Sequence, residues 1–198
     1  MTAADGLRRP AVGPAGRFHL LDGPTYFQAP PIHISLNEAR VLDAVTRALS
    51  VPGPIVEIGT LFGFSTNVMA IAKSEGRELI TVDNYSWNPA RLSKATHRRL
   101  TASALAPVSG IRLVERSATD FFAGYSGPPP ALVFIDAAHS YEAVRSDIEG
   151  SLRIGASVIC GHDYDSAKHP GVVQAVDELG GYQALTETFW VLNSTHAR

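Results

Sequence analysis

Short apolar runs alternate along the chain with longer stretches in which apolar residues recur every three or four positions. The short runs predict buried strands, and the longer stretches predict amphipathic helices that pack against them. Seven strands are expected, near residues 55–57, 78–83, 111–115, 131–135, 156–160, 182–185 and 188–192. Because helices separate most of these strands, the pattern predicts an α/β fold with a doubly wound, mostly parallel sheet and helices on both faces.

The first 34 residues follow a different pattern from the rest of the chain. They contain five prolines and scattered aromatic residues, so we expect an irregular N-terminal arm at 1–34 without its own core, and one domain at 35–198. Ser35 and Glu38 form a capping-box pattern that predicts a helix against the sheet edge. Three roles of the arm are open: closing over the active site, exchange with a second subunit, and disorder.

Composition narrows the possible partners. The chain has 198 residues, a formal net charge of −2 and a single cysteine. The low charge argues against nucleic acid or an anionic membrane as a partner, and no apolar stretch approaches the roughly 18 residues of a membrane span. Cys160 excludes an intrachain disulfide and is predicted to be a buried thiol. We expect a cytoplasmic protein that binds a small molecule.

The residues after the first strand of this sheet predict a ligand-binding loop. Gly59 and Gly63 permit tight turns near a ligand, and the helix that begins near Ser65 offers N–H groups at its start. Glu57 would repel a pyrophosphate but attract an ammonium group. S-adenosylmethionine carries both an ammonium and a carboxylate, and therefore fits this motif. The alternative is an ordinary strand-to-helix turn without a ligand.

Asp83 ends the next strand, about one βα unit after Gly59. An acidic side chain at this position can accept hydrogen bonds from both hydroxyls of a ribose. Asp83 is therefore the predicted ribose ligand. The alternative is an aspartate that only orders its own loop.

A second group of polar residues follows the fourth and fifth predicted strands. Asp136 and His139 come after the fourth, and His162 and Asp163 come after the fifth. Because adjacent parallel strands end at one edge of a sheet, Asp136, His162 and Asp163 are predicted to surround one divalent cation. Oxygen ligands with one imidazole suit Mg²⁺ or Mn²⁺, and Zn²⁺ or Fe²⁺ are also compatible. Without a metal, the aspartates would order their loops and His162 would be solvated.

These motifs resemble those of class I S-adenosylmethionine-dependent methyltransferases, whose first motif has the form E-x-G-x-x-x-G-x-S. The second group, with Asp136, His139 and the His162–Asp163 pair, is similar to O-methyltransferases related to catechol O-methyltransferase and to the macrocin and other antibiotic-sugar O-methyltransferases. The resemblance spans residues 36–180 and implies a Rossmann-like sheet. His162 departs from it, since Asp or Glu is more usual there.

The resemblance implies a role for each of these residues. The cofactor S-adenosylmethionine would be bound by Glu57, Gly59, Gly63, Ser65, Asp83, Ser117, Ala118 and Asp136, with its adenine near Ser117 and Ala118. Asp136, His162 and Asp163 would hold Mg²⁺ or another divalent cation. His139 would be the general base that accepts a proton from the acceptor. The expected reaction is methyl transfer to a hydroxyl of a sugar or phenolic natural product, by a homo-oligomer.

Several loop residues and other function classes complete the prediction. Tyr85, Trp87 and Tyr164 are expected to contact the substrate, whereas the basic residues of 91–99 predict a solvated helix face. Two alternatives are a non-catalytic protein that binds a small molecule or cofactor, and a metal-independent methyltransferase acting on nitrogen or carboxylate. An NAD-dependent enzyme would require a G-x-G-x-x-G motif, which the chain lacks.

Overall fold

The computed structural model describes residues 34–87 and 91–193, together with the backbone of two short strands at 17–19 and 26–28. These strands, β1 (Arg17–His19) and β2 (Tyr26–Gln28), pair antiparallel, and the sequence pattern did not predict them. The chain separates into two compact units, Met1–His33 and Ile34–Arg198. The three roles considered for the arm at 1–34 lie outside the described residues.

Helices and strands alternate through the second unit. In chain order its elements are α1 (Leu36–Arg47), β3 (Ile55–Ile58), α2 (Phe64–Ala72), β4 (Leu79–Asp83), α3 (Lys94–Leu105), β5 (Ile111–Glu115), α4 (Ala118–Gly124), β6 (Leu132–Ile135), α5 (Tyr141–Arg153), β7 (Ile159–Gly161), α6 (Pro170–Glu178), β8 (Tyr182–Thr186) and β9 (Phe189–Leu192). Among the described helices, none is long and apolar enough to cross a membrane.

The larger sheet has seven strands in the order β5-β4-β3-β6-β7-β9-β8. The first five of these run parallel, and β9 and β8 complete the sheet in antiparallel pairing. The order of strand addition reverses between β3 and β6, so the carboxyl ends of these strands flank the crevice where such sheets bind ligands. The predicted fold, a mostly parallel, Rossmann-like sheet of seven strands, is confirmed.

Apolar clusters cover both faces of the sheet. On one face, Leu42 of α1 and Met69 of α2 join the same cluster as Phe134 of β6. On the other face, residues of α4, α5 and α6, such as Ile148, join the cluster that contains Val133. Val133 and Phe134 are neighbours in β6 but belong to opposite clusters, as the two-residue period of a strand requires. The sheet is therefore doubly wound.

The packing of one helix and the bounds of one strand differ from the sequence prediction. The first helix, α1, packs on a face of the sheet and not on its edge, because its apolar stripe specifies a buried side but not the surface it covers. The strand expected at 156–160 is observed as β7 at Ile159–Gly161. Its register with β6 pairs Val133 with Ile159 and Ile135 with Gly161, which brings the residue after each strand to the same edge.

Candidate functional site

The ends of β3 and β6 approach each other closely at Gly59. A Cβ atom on Gly59 would lie 1.9 Å from the carbonyl oxygen of Asp136. Gly59 also has a φ of +100°, which residues with a side chain rarely adopt. The absence of a side chain at Gly59 therefore lets the loop after β3 lie directly against the segment that carries Asp136 and His139.

Glu57 is fully buried within β3, and three hydroxyl groups donate to it. Its Oε1 accepts from Ser65 at 2.5 Å, and its Oε2 accepts from Thr66 at 2.5 Å and from Thr81 at 2.6 Å. Burial raises the pKa of Glu57 to about 7, while the three hydrogen bonds oppose this shift. Glu57 thus joins the start of α2 to β3 and β4. The structure does not expose it to a ligand ammonium, which is the contact the sequence predicted.

The start of α2 is shaped by Gly63, its N-cap residue, which has a φ of +84°. A Cβ at Gly63 would lie 2.8 Å from the side chain of Leu105 in α3. Ser65 follows in the first turn, where its hydroxyl is held by Glu57 and its backbone belongs to the positive end of the helix dipole. Gly63 and Ser65 therefore lie in the loop and first turn predicted from the sequence.

Asp83 ends β4 and organises the loops beside it. Its Oδ2 accepts the N–H groups of Thr60 at 3.0 Å and Leu61 at 2.8 Å, and its Oδ1 accepts the N–H of Tyr85 at 2.6 Å. Leu61 and Tyr85 both have positive φ, at 47° and 54°. The hydrogen bonds to Asp83 offset the cost of these conformations. Asp83 is half-buried beside the Gly59–Gly63 loop, next to which a ribose ligand is expected.

Helix α3 holds the same loop from the opposite side. The carbonyl oxygen of Leu61 accepts the Thr101 hydroxyl at 2.6 Å and lies 3.2 Å from Nε2 of His97. The His97 side chain is fully buried, and its ring packs on Phe62 at 4.4 Å between centroids. The prediction that the whole basic segment 91–99 is a solvated face is therefore wrong at His97. A single imidazole among exposed arginines gives no sequence signal of burial.

The predicted metal ligands come together after β6 and β7. Nδ1 of His162 lies 3.7 Å from Oδ1 of Asp136 and 3.3 Å from Oδ1 of Asp163. One ligand atom from each of Asp136, His162 and Asp163 can be chosen so that all lie within 4.8 Å of one another. Two carboxylates and one imidazole at this separation fit a divalent cation.

His139 joins the same cluster. Its Nε2 lies 2.9 Å from Oδ2 of Asp163 and 3.9 Å from Oδ1 of Asp136. This buried nitrogen makes no aligned hydrogen bond, so the contact with Asp163 is an ion pair without hydrogen-bond geometry. His139 therefore presents Nε2 to both carboxylates of the predicted metal site.

Asp163 and α6 complete the cluster. Asp163 has a φ of +63°, and its Oδ1 lies 3.6 Å from Nε2 of His169, the N-cap residue of α6. A Cβ on Gly171 would lie 2.8 Å from the carbonyl oxygen of His139, so glycine lets the start of α6 approach this loop. One ligand atom from each of His139, Asp163 and His169 can be chosen so that all three lie within 4.8 Å of one another. The sequence did not indicate His169 as a metal ligand.

The charges in this cluster shift each other's pKa values. Asp136 and then Asp163 raise the pKa of His139 to about 9, against the effect of burial. Burial lowers the pKa of His162, but the same two aspartates outweigh it and bring the value to about 11. Burial opposes the change in both aspartates, yet the two histidines hold the pKa of Asp136 below, and that of Asp163 well below, the ordinary range. The histidines and aspartates therefore favour each other's charged forms.

Glu38, which belongs to α1 and not to the loops after the strands, contacts the cluster through His162. Its Oε2 lies 3.1 Å from Nε2 of His162 and accepts the N–H of Ser35 at 2.8 Å. Its Oε1 accepts both the N–H and the hydroxyl of Thr188, at 2.9 and 2.7 Å. Burial raises the pKa of Glu38, but the hydrogen bonds from Ser35 and Thr188 outweigh it and the net shift is downward. The sequence identified Glu38 only as a helix-capping residue.

The remaining predicted residues lie at different distances from this chemistry. Ser117 is the N-cap of α4, where its hydroxyl accepts the N–H of Asp120 at 3.1 Å, and Ala118 begins that helix. Trp87 is 59% exposed in the loop after β4. Tyr85, by contrast, is buried with its ring edge on His97, and Tyr164 donates its hydroxyl to Asp177 at 2.8 Å. The Tyr85 side chain is thus mostly buried, and the Tyr164 hydroxyl is already bonded within the protein.

The profile of a protein family described as a methyltransferase domain matches residues 56–164, more than half of the chain. The chain belongs to this methyltransferase family. The matched segment contains both the Glu57–Ser65 motif and the cluster from Asp136 to Asp163. The predicted class, a class I S-adenosylmethionine-dependent methyltransferase, is confirmed. No curated protein sequence matches the chain.

Solved structures, two of them O-methyltransferases, share the fold. Cofactor-bound Rv0187 from MTB superposes with a TM-score of 0.62 at 22% identity, over 82% of this chain and 80% of that one. TomG from Streptomyces achromogenes, an O-methyltransferase involved in tomaymycin synthesis and solved with S-adenosylmethionine, gives 0.60 at 20% identity over the same shares. The O-methyltransferase NovP gives 0.63 at 14% identity, over 81% of this chain and 80% of that one. In each case the similarity covers about four fifths of both chains.

Proposed function

We propose that this methyltransferase transfers the methyl group of S-adenosylmethionine to a hydroxyl of a small-molecule acceptor. The observation that carries the proposal is the contact between Gly59 and Asp136, which holds the loop after β3 against the segment bearing His139. A cofactor bound by that loop would have its methyl group beside a proton-accepting side chain. Methyl transfer is an in-line displacement, so it depends on this kind of alignment between donor, acceptor and base.

The cofactor would lie across the carboxyl ends of β3, β4 and β5. The ribose would bind Asp83, and the adenine would pack at the start of α4 against Ser117 and Ala118. The methionine portion would lie along the Gly59–Gly63 loop, with its carboxylate at the first turn of α2 near Ser65. Support comes from the hydrogen bonds by which Glu57, Asp83 and Thr101 fix this loop. Glu57 then has a positioning role.

The base is His139, and Asp136, His162 and Asp163 would hold a divalent cation beside it. The donor set fits such an ion, which would lower the pKa of the acceptor hydroxyl and orient its oxygen. A histidine must be neutral to accept a proton, whereas Asp136 and Asp163 favour protonated His139. A cation shared by these aspartates would offset their charge. This is why the base and the metal belong to one proposal.

The acceptor would be a sugar or phenolic natural product. The support is the resemblance to antibiotic-sugar O-methyltransferases and the fold shared with TomG, which acts in tomaymycin synthesis. We further propose a homo-oligomer, because β8 forms an outer edge of the described sheet with all five residues exposed. Light scattering during gel filtration would give the mass, and a monomer would contradict this part.

Calorimetric titration of S-adenosylmethionine into the purified protein, with NAD as a control ligand, is the first test. We expect saturable binding of the methyl donor alone. Methyl transfer from labelled donor to a panel of sugars, catechols, amines and carboxylic acids would follow, with and without chelator. For His139→Ala we expect turnover to fall about 10²-fold or more, with donor affinity within about twofold of the wild type.

Each result has a separate meaning. Absence of donor binding would overturn the proposed function as a whole. Transfer only to amines or carboxylic acids would overturn the choice of hydroxyl. Unchanged turnover in His139→Ala would remove the base, and full turnover after chelation would remove the cation from Asp136, His162 and Asp163.

A further inference from the structure

The imidazole of His162 is held between two kinds of carboxylate. Nδ1 faces Asp136 and Asp163, the predicted metal ligands, at 3.7 and 3.3 Å. Nε2 faces Glu38 of α1 at 3.1 Å. The two ring nitrogens therefore point to different environments, one of which is the candidate cation site and the other a buried side chain of the first helix.

The Glu38 carboxylate is fixed in place. Its side chain is only 3% exposed, and Ser35 and Thr188 donate three hydrogen bonds to it. An ionised carboxylate has no proton to donate, so its hydrogen bond with His162 requires the proton to be on Nε2. In neutral His162, Nδ1 then carries the lone pair, and this lone pair points toward Asp136 and Asp163.

Helix capping alone does not explain a carboxylate at this position. Glutamine also completes a capping box at the third residue of a helix. A glutamine amide, however, has one acceptor oxygen, so its N–H₂ donor would face either the Ser35 N–H and Nε2 of His162, which share Oε2, or the N–H and hydroxyl of Thr188, which share Oε1. Burying a charged glutamate is costly unless its partners require the charge. Here both oxygens face donors, and His162 is the partner among them whose ring becomes charged on protonation.

We infer that Glu38 is a positioning residue, which fixes His162 in the tautomer that ligates a divalent cation through Nδ1. The resulting site prefers ions that favour imidazole ligands, such as Co²⁺ or Zn²⁺, to Mg²⁺. Histidines that bind metals generally donate their other N–H to a carboxylate or carbonyl in this way. Mg²⁺ favours a shell of oxygen ligands, whereas imidazole suits transition ions. The inference rests on the cation in the proposed function, but not on methyl transfer itself.

Cation binding to the full chain tests this directly. Calorimetric titration with Co²⁺, Zn²⁺ and Mg²⁺ should give the weakest binding for Mg²⁺. In Glu38→Gln we expect Co²⁺ affinity to fall about 10- to 100-fold. Ser35→Ala is the matched control, because it removes the other half of the same capping box and leaves the Glu38 contact with His162 intact. Its Co²⁺ affinity should stay within about threefold of the wild type.

A double-mutant comparison separates positioning from a general loss of structure. In a His162→Ala background, Glu38→Gln should cause no further loss of Co²⁺ affinity, since the residue it positions is gone. Equal losses in Ser35→Ala and Glu38→Gln, or an additive loss in the double mutant, would overturn the inference. Stronger binding of Mg²⁺ than of Co²⁺ would overturn the ion preference.

The wild-type protein offers a test that needs no variant. Nitrogen chemical shifts of the His162 ring in the Zn²⁺-loaded protein should show a proton on Nε2 and a metal-bound Nδ1. A proton on Nδ1 would overturn the inference. A protein that binds and transfers the methyl group but binds no cation would also overturn it and leave methyl transfer standing. Cation binding that depends on Glu38, in a protein that does not bind the donor, would support the inference and overturn the proposed methyl transfer.

Discussion

At the scale of single residues, the buried Glu57 carboxylate links stability to pH. Burial raises its pKa from 4.5 to about 7 in the folded protein, so it favours folding most at low pH. This contribution is present below about pH 4.5 and is lost as the pH rises to about 7, at roughly 1.4 kcal/mol per unit of pKa difference. Glu57→Gln does not titrate. The stability of wild type relative to Glu57→Gln should therefore decrease between pH 4.5 and 7, then become constant.

Denaturant unfolding of both proteins across this pH range measures the difference. Subtracting the two curves removes the titration of all other groups, because they are common to both proteins. A difference that stays constant, or that grows with pH, would contradict a raised pKa at Glu57. Donor affinity of Glu57→Gln should also be lower than that of the wild type, since the glutamine offers one acceptor oxygen to three hydroxyl groups.

Gly59 and Gly76 provide a matched pair for the contact between strand ends. Both have positive φ, at 100° and 76°, but a Cβ on Gly76 meets no atom within 4 Å, whereas one on Gly59 would lie 1.9 Å from the Asp136 carbonyl. Gly76→Ala should cost about 1 kcal/mol from backbone strain alone. Gly59→Ala should cost at least about 2 kcal/mol more and weaken donor binding. Equal losses of unfolding free energy in the two variants would contradict the role of the contact.

Residue types at strand ends could be read from the sequence, but their packing could not. Asp136, His162 and Asp163 were expected together because adjacent parallel strands end at one edge, and they do converge. Tyr85 was expected to meet substrate, yet its side chain is buried with its ring against His97, a contact that local spacing does not indicate. Glu38 was hidden because its partner His162 is 124 residues away, and local spacing carries no information about such a pair.

At the scale of elements, α3 contributes to the cofactor loop through Thr101. This residue donates to the Leu61 carbonyl at 2.6 Å and is fully buried. Thr101→Val removes the hydroxyl at constant volume and should release the loop. We expect a loss of about 1 kcal/mol, or about fivefold in donor affinity, if the loop must be in place to bind. Calorimetric titration of S-adenosylmethionine would measure it.

Thr46→Val in α1 is the control for this substitution. Thr46 is also a buried threonine, and its hydroxyl donates at 2.7 Å to the carbonyl of Leu42 within its own helix. Thr46→Val should lower the free energy of unfolding by about as much as Thr101→Val does, and it should leave donor affinity unchanged. A weaker donor affinity in both variants, or in neither, would show that α3 does not act through the loop.

Elements with strong periodicity were the easiest to predict, and their partners were the hardest. The apolar runs in β3 and β6 are buried on both faces, which accounts for their clear signal. The short strand β7 was placed three residues early at its start, since the apolar run begins before pairing with β6 does. Amphipathic α1 was recognised as a helix, but its docking on the sheet face depends on Phe134 and Phe189, which lie far along the chain.

At the scale of the whole molecule, strand order explains why one edge of the sheet carries the chemistry. β3 and β6 are adjacent although two strands separate them in sequence, so the loops that follow them leave on opposite faces of the sheet. The residues proposed to bind the methionine portion of the donor and to accept the proton come from these two loops. Alternation of helices and strands predicts such a crevice, and the order of strands decides which loops border it.

The second compact unit should fold and bind without the arm. The described residues of both apolar clusters and of the candidate site lie from Ile34 onward, within the second compact unit. A chain lacking residues 1–33 should therefore keep its cooperative thermal unfolding, and its affinities for S-adenosylmethionine and Co²⁺ should remain within about twofold of the full chain. Calorimetry and thermal denaturation of the two proteins would measure this, and loss of donor binding would contradict it. If binding is kept while methyl transfer is lost, the arm is needed for the acceptor, by closing over the site or by exchange between subunits.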